Sequence, residues 1–356
     1  MFKAKLRTLR NTMSNHTPEK VLVTGGGGFL GKAIVRKLIE RGDRVLSFSR
    51  SSYYELKSLG VTQIQGDISD FVAVERACNG VDLVFHVAAK PGISGKYSEY
   101  YQTNVTGTQN VIKACKHHGI SRLIHTSSPS VIFNGKDMEG IDESAPYPET
   151  YHASYPETKA RAEQEVLKST NNELKAIILR PHLIWGPADN HLIPGIIQRA
   201  HRLRIIGHGK NKVDTIYIDN AADAHILAAD RLKESPDVSG KIYFISQDEP
   251  VLLWEMINNI LKAAHLPKIE KSIPKSIAWT IGAVMEFVYK ILFLSSEPPM
   301  TRFVANELAT SHWFDISAAK QDLGYTPKIS TAEGLQILEN WLHTNKQGIG
   351  IKHGTH

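Results

Sequence analysis

Short apolar runs alternate along this chain with longer segments in which apolar residues recur at helical spacing. The first unit is typical, because the apolar run 21–23 leads through the glycine-rich stretch 24–31 into the helical pattern of 32–40. Similar runs predict further strands at 44–48, 61–65, 81–89, 122–126, 174–180 and 241–245. The periodic segments at 97–118, after 154 and at 220–232 predict helices. Strands that alternate with helices indicate an α/β fold with a parallel sheet.

The same pattern divides the chain into two domains. We expect α/β architecture: a doubly wound parallel sheet (Rossmann) with a small C-terminal α/β substrate domain. The Rossmann domain is expected at 20–185 plus 213–249, and the substrate domain at 186–212 plus 250–344, since Gly186-Pro187 ends a strand sharply. The two chain ends, 1–19 and 345–356, are expected to form a flexible basic tail and a disordered tail.

The stretch 273–294 is the most apolar in the chain. It approaches the length of a membrane span, but Lys275, Glu286 and Lys290 interrupt it, and a charge at the centre of a bilayer is costly. Three interpretations remain open. In order of preference they are a core helix of the small domain, an interfacial helix that makes peripheral membrane contact, and a lid over a lipophilic substrate.

Composition and charge narrow the class of protein. The formal net charge of +6 is spread without long blocks of like charge, which disfavours nucleic-acid binding and is compatible with an anionic cofactor or membrane surface. The two cysteines, Cys78 and Cys115, fall in predicted helices and predict no disulfide framework. A reducing, cytoplasmic location is therefore expected, with membrane association as the alternative.

The glycines at 25, 28 and 31 predict a turn that binds a diphosphate. They stand between the first strand and the first helix, where free backbone dihedrals allow close approach of a ligand. The exposed N–H groups at the start of the helix would hold the phosphate oxygens. A glycine triplet alone is weak evidence, because glycine-rich turns also serve as plain connectors.

The ends of the next strands predict which dinucleotide binds. Ser49 and Arg50 stand where enzymes selective for NAD carry an acidic residue, and a guanidinium suits a 2′-phosphate, so NADP is preferred over NAD. Asp67 is expected near adenine or, alternatively, as a cap of the helix that starts near Asp70. Ala88 and Ala89 leave room for the cofactor. His86 has no companion at metal-ligand spacing, so no metal is expected.

A tyrosine and a lysine four residues apart predict acid–base chemistry. Tyr155 and Lys159 share one face of a predicted helix, which Ser154 and Glu157 would open at capping-box spacing. A neighbouring ammonium is expected to lower the pKa of the phenol, so that the phenol can exchange a proton while the cofactor exchanges hydride. A serine from the preceding Ser-Ser strand end would hold the substrate oxygen.

In combination these motifs resemble those of the extended short-chain dehydrogenase/reductase superfamily. The resemblance covers roughly 20–345. It is carried by TGGGGFLG at 24–31, GDI at 66–68, HVAA at 86–89, NVTGTQNV at 104–111, TSSPSV at 126–131, YPETK at 155–159, LRPHLIWGP at 179–187 and YIDNAADAH at 217–225. The motifs are specific for fold and hydride chemistry and far less specific for substrate.

The resemblance implies a role for each matching position. Tyr155 would be the general acid/base, Lys159 its partner and a ligand of the nicotinamide ribose, Ser128 (with Ser127 as fallback) the group that orients the substrate oxygen, and Asn104 the residue that maintains the relay. The implied cofactor contacts are Gly25, Gly28, Phe29, Leu30, Arg50, Asp67, Ile68, Ala88, Ala89, Tyr155, Lys159, Pro181, His182 and Leu183.

Within the superfamily the apolar stretch and SEPPMTRFVANELATSHWFD at 296–315 look most like the 3β-hydroxysteroid dehydrogenase group. That group includes sterol-4α-carboxylate 3-dehydrogenases and bacterial 2-alkyl-3-oxoalkanoate reductases, the second being slightly closer. The resemblance implies hydride transfer at C3 of a lipophilic substrate, and it allows a homodimer. The alternatives are a sugar-nucleotide epimerase or dehydratase of the same fold and a redox-sensing protein that binds NAD(P) without turnover.

Overall fold

The computed structural model describes residues 17–92, 95–292, 294 and 298–345. The strands, in chain order, are β1 (Lys20–Thr24), β2 (Arg44–Ser49), β3 (Thr62–Gln65), β4 (Leu83–His86), β5 (Arg122–Thr126), β6 (Met138–Ile141), β7 (Lys175–Pro181), β8 (Ile184–Trp185), β9 (Ile205–Ile206), β10 (Lys212–Val213), β11 (Ile216–Tyr217), β12 (Ile242–Ile245), β13 (Val251–Leu252), β14 (Ser272–Ile273) and β15 (His312–Phe314). The α-helices are α1 (Phe29–Arg41), α2 (Tyr54–Ser58), α3 (Phe71–Ala77), α4 (Tyr97–Tyr100), α5 (Gly107–His117), α6 (Ser154–Ser169), α7 (Leu192–Arg199), α8 (Ile218–Glu234), α9 (Leu253–Ala263), α10 (Lys275–Ile291), α11 (Arg302–Glu307), α12 (Ser317–Leu323) and α13 (Thr331–Thr344).

Seven parallel strands form the central sheet. Their order is β12-β7-β5-β4-β1-β2-β3, so the chain reverses its direction of travel across the sheet between β1 and β4. All six pairings in this sheet are parallel. Ligands of such sheets bind at the carboxyl ends of the strands beside the reversal. The prediction of a doubly wound parallel sheet is confirmed.

Helices cover both faces of this sheet. Helices α1 and α8 pack together on one face, and α3, α5 and α6 pack on the other. Alternate residues of β1 therefore enter two different cores: Val21 and Val23 belong to one, and Leu22 belongs to the other. Burial on both faces explains why the strands appear in the sequence as almost continuous apolar runs.

A smaller sheet of four strands stands beside the central one. Its order is β13-β10-β15-β6, with β10 and β13 antiparallel and the other neighbours parallel. Strand β6 comes from within 20–185, the range expected for the Rossmann domain, and pairs with β15 from the C-terminal region. The two parts of the chain are thus joined by main-chain hydrogen bonds, while the boundaries proposed from the sequence stay a prediction.

A π-helical turn interrupts the predicted helix of 97–118. The turn covers Tyr101–Thr106, between α4 and α5. Asn104 is buried at this turn, and Gly107 follows it against Ile68, where an added Cβ would lie 2.7 Å from the isoleucine side chain. Asn104 and Gly107, which are unfavourable inside an α-helix, therefore lie in and directly after a π-helical turn in which the Asn104 side chain is buried.

Helix α10 exposes its apolar residues to solvent. Ala278 and Gly282 are its buried positions, and Phe287 is 65% exposed. The interpretation of 273–294 as a core helix is wrong, because most of the large apolar side chains on the described part of this surface are exposed. We call this surface the apolar ridge; it comprises Ile277, Trp279, Ile281, Val284, Phe287, Val288, Ile291, Leu292 and Leu294. No helix in the described parts of the chain is long and apolar enough to cross a membrane.

Three further expectations concern the chain ends and the cysteines. Residues 1–16 and 346–356, which make up most of the two predicted tails, lie outside the described residues. Cys78 and Cys115 are buried free thiols, as predicted. The hydrogen bond that the Cys115 thiol donates to Cys78, together with burial, raises the pKa of Cys115 well above its ordinary value.

One buried ion pair connects the helix α6 to the sheet. The Arg180 guanidinium, at the end of β7, lies 2.5 Å from Glu163 Oε1 and donates from Nε to Oε2 at 3.1 Å. Both side chains have at most 1% of their surface exposed. The Tyr147 hydroxyl also donates to Glu163, at 2.6 Å. A charge in this position is tolerated only because its partner is present.

Replacing one partner of this pair is expected to destabilise the fold. Glu163→Gln leaves a buried guanidinium without its counter-charge, so the free energy of unfolding should fall by about 3–5 kcal/mol. Urea-induced equilibrium unfolding measures the change. The control, Glu165→Gln, lies on the same helix in a surface pair with Lys168 and should cost less than about 1 kcal/mol. Equal losses in the two variants would contradict the argument.

Candidate active site

A cavity of about 1010 Å³ lies along the carboxyl ends of the central strands. Its lining includes the glycine turn at one end and Tyr155 with Lys159 at the other. Of the residues predicted to bind the cofactor, those that line the cavity are Gly25, Gly28, Phe29, Leu30, Arg50, Asp67, Ile68, Ala88, Ala89, Tyr155, Lys159, Pro181 and Leu183. The cavity is therefore continuous from the turn that would bind a diphosphate to the residues expected to move a proton.

The glycine turn has no room for side chains. Gly25 has a positive φ of 70°, and a Cβ there would lie 2.9 Å from the backbone of Ala88. A Cβ at Gly31 would lie 2.1 Å from the carbonyl oxygen of Gly25. Helix α1 begins directly after Gly28, so its first N–H groups are free to bind an anion. This cradle fits the diphosphate of a dinucleotide.

Arg50 and Asp67 lie at the edge of the cavity, beyond the ends of β2 and β3. Arg50 is exposed and makes no ion pair with any residue in the described ranges. Asp67 accepts hydrogen bonds from the Ser69 N–H at 2.8 Å and the Ser69 hydroxyl at 2.6 Å, and these bonds lower the pKa of its carboxyl. Asp70 caps α3, so Asp67 does not act as the cap of that helix.

Tyr53 is a cavity residue that the sequence analysis did not identify. Its ring packs on the glycine turn so closely that a Cβ at Gly27 would lie 1.9 Å from it. The Lys32 ammonium lies 5.6 Å from the centre of the same ring. In the sequence, Tyr53 could have been noticed as an aromatic residue three positions after Arg50. Its contact with the glycine turn could not, because that contact depends on the path of the loop after β2.

Ser128 and Tyr155 are joined by a hydrogen bond. The Ser128 hydroxyl also lies 2.9 Å from the Ser130 hydroxyl, and Ser128 caps the short 3₁₀ turn that follows β5. The neighbouring Ser127 lines the cavity, but its hydroxyl makes no hydrogen bond with the residues that the structure describes. Of the two serines that the sequence left open, Ser128 is the one in contact with the phenol.

Lys159 lies one helical turn after Tyr155 on α6. Its ammonium donates to the carbonyl oxygen of Thr126 at 2.6 Å. Burial lowers the pKa of Lys159 to about 8, and the carboxylate of Glu163 opposes this change. The ion pair that connects α6 to the sheet therefore also helps to keep the Lys159 side chain charged.

The pKa of Tyr155 differs from the sequence-based expectation. Burial raises it above its ordinary value, the hydrogen bond with Ser128 opposes the rise, and the carboxyl of Glu307 adds to it. Lys159 does not lower the pKa of the phenol, because burial brings the pKa of Lys159 itself down to about 8, so that the amine loses its proton before the phenol does.

The start of α6 also differs from the sequence-based expectation, since the predicted capping box does not form. Ala153 precedes the helix and makes no side-chain cap, while Glu157 pairs with Arg161 at 2.9 Å. The Thr158 hydroxyl donates to the carbonyl oxygen of Ser154 at 2.8 Å, a bond within the helix that does not cap the free N–H groups of the first turn.

Asn104 connects the catalytic helix to the loop after β4. Its carbonyl oxygen accepts from the Lys90 N–H at 2.7 Å, and its amide donates to the Thr158 hydroxyl at 3.0 Å. Asn104 does not line the cavity. With these contacts Asn104 positions α6 against the loop. The π-helical turn directs the Asn104 side chain toward both Lys90 and Thr158.

Glu307 is a second residue that the sequence analysis missed. It ends α11, and burial raises the pKa of its carboxyl to about 7. Its carboxyl makes no hydrogen bond or ion pair with the residues that the structure describes, while its charge raises the pKa of Tyr155. No sequence signal indicated this proximity, because more than 150 residues separate the two side chains.

His182 does not line the cavity, although it was predicted to contact the nicotinamide end. Its Nε2 lies 2.7 Å from Nδ1 of His312, and burial lowers its pKa well below the usual value. The hydrogen bond between the two rings therefore connects the end of β7 to β15. His86 lies between the hydroxyls of Thr24, at 2.8 Å, and Thr108, at 2.9 Å, as expected for a histidine that serves the fold.

One cluster among the described residues has metal-ligand character. Single ligand atoms of Glu75, His117 and His118 lie within 4.8 Å of one another. The cluster is at the end of α5 that precedes β5, at the opposite edge of the sheet from the cavity. It can therefore contribute nothing to chemistry at Tyr155, and the expectation that catalysis uses no metal stays a prediction.

Solved structures share this fold. The crystal structure of gox2253 superposes with a TM-score of 0.75 at 26% identity and covers 92% of this chain and 98% of its own. A UDP-glucuronic acid 4-epimerase from Bacillus cereus, in complex with NAD, has a TM-score of 0.70 at 22% identity and covers 91% and 99%. At this low identity, the likeness to the epimerase shows the fold alone.

Closer relatives are found among characterised sequences. A 2-alkyl-3-oxoalkanoate reductase from Stenotrophomonas maltophilia is 49% identical over 324 residues, which is 90% of this chain and 98% of the relative. A second enzyme of that name, from Shewanella oneidensis, is also 49% identical, over 89% of this chain and 84% of its own. The decarboxylating sterol-4-alpha-carboxylate 3-dehydrogenase of Mus musculus is 32% identical over 92% of each chain.

A family model describes most of the cavity-bearing part of the chain. The model of the 3-beta hydroxysteroid dehydrogenase/isomerase family matches residues 22–274. The match includes the glycine turn, Ser128, Tyr155 and Lys159, so it covers the whole set that the geometry brings to the cavity. The relatives are named as reductases and dehydrogenases. The chain belongs to the 3-beta hydroxysteroid dehydrogenase/isomerase family and is an NAD(P)-dependent oxidoreductase.

Proposed function

We propose that this enzyme reduces the 3-oxo group of a 2-alkyl-3-oxoalkanoate to a hydroxyl group, with NADPH as the reductant. The observation that carries the oxidoreductase chemistry is the single long cavity that brings Ser128, Tyr155 and Lys159 together with the glycine turn. In the balanced reaction the carbonyl carbon receives a hydride and the carbonyl oxygen receives a proton, and NADP⁺ is released.

The choice of substrate rests on the relatives. Two reductases named for 2-alkyl-3-oxoalkanoates are 49% identical to this chain, whereas the sterol-4-alpha-carboxylate 3-dehydrogenases are 32–34% identical. Both classes act at C3 of a bulky lipophilic molecule, so the two substrates require the same placement of a ketone or hydroxyl beside the phenol. The higher identity favours the alkyl oxo acid.

Each residue near the reacting carbonyl has a distinct role. When bound, the nicotinamide supplies the hydride. Tyr155 donates the proton to the carbonyl oxygen, and Ser128 donates a hydrogen bond that holds this oxygen in place. Lys159 binds the nicotinamide ribose and provides positive charge near the developing phenolate. Asn104 acts as a positioning residue, through Thr158 on α6.

The preference for NADPH rests on the position of Arg50. The guanidinium lies at the rim of the cavity, beyond β2, and makes no salt bridge with the described residues, although its charge helps to lower the pKa of the Asp67 carboxyl. An exposed arginine at this position suits the 2′-phosphate, and Ser49 and Arg50 stand where an acidic residue would bind a free ribose hydroxyl.

Two rival functions make different predictions. An epimerase or dehydratase would bind a nucleotide sugar tightly, and a redox-sensing protein would bind the cofactor without turnover. A screen of 2-alkyl-3-oxo acids, sterols and UDP-glucose, each with NADPH and with NADH, separates the three functions. Turnover of the oxo acid with NADPH supports the proposal, whereas tight binding of UDP-glucose or the absence of any turnover would support a rival.

Removing the phenolic hydroxyl is expected to abolish most of the activity. Tyr155→Phe deletes the proton donor, so kcat should fall by about 10²–10⁴-fold while the Kd for NADPH changes little. Steady-state kinetics and fluorescence titration of the cofactor measure the two quantities. The control is Tyr151→Phe, since the Tyr151 hydroxyl donates to the Val131 carbonyl oxygen instead of facing the substrate. Full reductase activity in Tyr155→Phe would refute the assigned proton donor.

Glu307 is expected to influence the pH dependence through Tyr155. Its carboxylate raises the pKa of the phenol, so Glu307→Gln should lower that pKa. In the direction of reduction the phenol must be protonated, and the alkaline limb of the profile of kcat/KM against pH should therefore move to lower pH. Glu249→Gln, which removes a distant carboxylate bonded to Thr331, is the control and should leave the limb in place. A shift to higher pH in Glu307→Gln would contradict the electrostatic assignment.

Arg50 is expected to discriminate between the two cofactors. Arg50→Ala removes a charge-assisted hydrogen bond to the 2′-phosphate, so the Kd for NADPH should rise by about tenfold to a hundredfold while the Kd for NADH stays nearly constant. Fluorescence titration of both cofactors measures the ratio. Arg44→Ala, at the opposite end of β2, is the matched control. Equal weakening for NADPH and NADH would rule out a phosphate contact.

A further inference from the structure

Three side chains that commonly bind metals face one another at the edge of the central sheet opposite the cavity. Glu75 lies in the last turn of α3, His117 ends α5, and His118 follows it, more than 40 residues after Glu75. Helices α3 and α5 pack together, and this contact brings the carboxylate to the two imidazoles. We call these three residues the α3–α5 cluster.

The separations between the ligand atoms are close to those of atoms that share one ion. Glu75 Oε1 lies 3.4 Å from His117 Nδ1 and 3.6 Å from His118 Nε2, and all three ligand atoms lie within 4.8 Å of one another. Two atoms bound at about 2.0–2.1 Å to a tetrahedral ion lie roughly 3.3–3.4 Å apart. A hydrogen bond between an imidazole and a carboxylate is shorter, at about 2.7–3.2 Å. The cluster is therefore too open for hydrogen bonds and has nearly the size of a coordination sphere.

The imidazole of His118 supplies a second, independent observation. Its Nε2 is buried and makes no hydrogen bond with any residue that the structure describes. A buried nitrogen without a partner costs free energy, and such atoms are rare in folded proteins. Because Nε2 faces the Glu75 carboxylate across 3.6 Å, an ion between the two side chains would satisfy it.

The Glu75 carboxylate lacks a permanent cation. Within the described ranges it pairs with His117 and His118, which are charged only when protonated, and with no lysine or arginine. The C-terminal ends of α3 and α5 both lie at the cluster. The carbonyl groups at the end of a helix carry partial negative charge, which favours a cation. The charges around the cluster therefore attract a positive ion.

The two histidines are held in place by the way in which α5 ends. Gly119 has a positive φ of 65°. Its N–H donates to the Lys116 carbonyl oxygen at 3.4 Å, and the Ile120 N–H donates to the Cys115 carbonyl oxygen at 2.8 Å. These are the two hydrogen bonds of a Schellman motif. The imidazole rings stack with their centres 5.2 Å apart, so both ligands are largely arranged before an ion binds.

We propose that the α3–α5 cluster binds one divalent transition-metal ion and that Zn²⁺ suits it best. Two imidazole nitrogens and one carboxylate oxygen match the ligands that Zn²⁺ prefers, whereas Ca²⁺ and Mg²⁺ require more oxygen ligands. Water completes the coordination. The ion joins α3 to α5 and stabilises the fold at a distance from the cavity. The site does not depend on the proposed function, and the prediction that catalysis uses no metal is unaffected.

The two cysteines are the competing ligands on the same helices. Cys78 follows Glu75 by three residues, and Cys115 precedes His118 by three. Thiolates bind Zn²⁺ well, so the pair has to be considered. The sulfur atoms, however, do not belong to the group of ligand atoms that lie within 4.8 Å of one another. We therefore expect an ion with nitrogen and oxygen ligands and without sulfur.

Calorimetric titration of the full-length protein with Zn²⁺ tests the proposal. The protein is first dialysed against EDTA and then against buffer at about pH 8, because protons compete with the ion for imidazole. We expect one tightly bound ion per chain. Glu75→Gln and His118→Gln should each raise the Kd for Zn²⁺ at least about tenfold. The matched control is His343→Gln, which changes an exposed histidine on α13 and should leave the Kd unchanged.

Thermal unfolding, followed by circular dichroism, shows whether the ion stabilises the fold. Zn²⁺ should raise the melting temperature of the wild type and of His343→Gln, but not that of Glu75→Gln. Without metal, Glu75→Gln should have the circular dichroism spectrum of the wild type, which shows that it is folded. Equal Kd values in the wild type and both cluster variants would mean adventitious binding elsewhere and would overturn the proposal. A wild type that binds no Zn²⁺ would also overturn it.

Co²⁺ used in place of Zn²⁺ identifies the ligand atoms. We expect visible absorption bands that are lost in His118→Gln, without the intense near-ultraviolet band of a bond between cobalt and a thiolate. That band, if present in the wild type and removed by Cys78→Ser, would place the ion at the cysteines and refute the assignment to Glu75, His117 and His118.

Discussion

A buried carboxylate, that of Glu163, lies between the two buried cations on which the fold and the site depend. It pairs with Arg180 at the end of β7, and it raises the pKa of Lys159 against the effect of burial. One negative charge therefore holds the catalytic helix against the sheet and helps to keep the lysine charged. Because the same carboxylate acts on both cations, a change at Glu163 would affect both the position of α6 and the charge of Lys159.

Most of the fold could be predicted because strands buried on both faces leave a plain apolar signature. The runs at 44–48 and 122–126 correspond closely to β2 and β5. The stretch 273–294 could not be assigned in the same way. Apolar residues at helical spacing show that one face of a helix avoids water, but they do not tell whether protein or lipid covers that face. Only the position of α10 against α11 shows that the apolar ridge is left exposed.

The site was predictable where it depends on local spacing. The glycine turn and the pair Tyr155 and Lys159 follow from residues a few positions apart. The remainder depends on contacts between distant parts of the chain, as with Glu307, whose effect on Tyr155 no local pattern indicates. Even the pKa of the phenol could not be inferred from spacing, because it is set first by burial and then by Glu307 and Ser128, which come from other parts of the chain.

The π-helical turn at Tyr101–Thr106 makes the position of Asn104 sensitive to the number of residues in this segment. A π turn holds one residue more than the α-helical turn that it replaces, and each residue of a helix advances the side chains by about 100°. Loss of one residue here would rotate Asn104 away from Lys90 and Thr158 while leaving α5 continuous. Relatives that differ in length by one residue in this segment would therefore have to support the catalytic helix by a different side chain, even if their sequences on either side were unchanged.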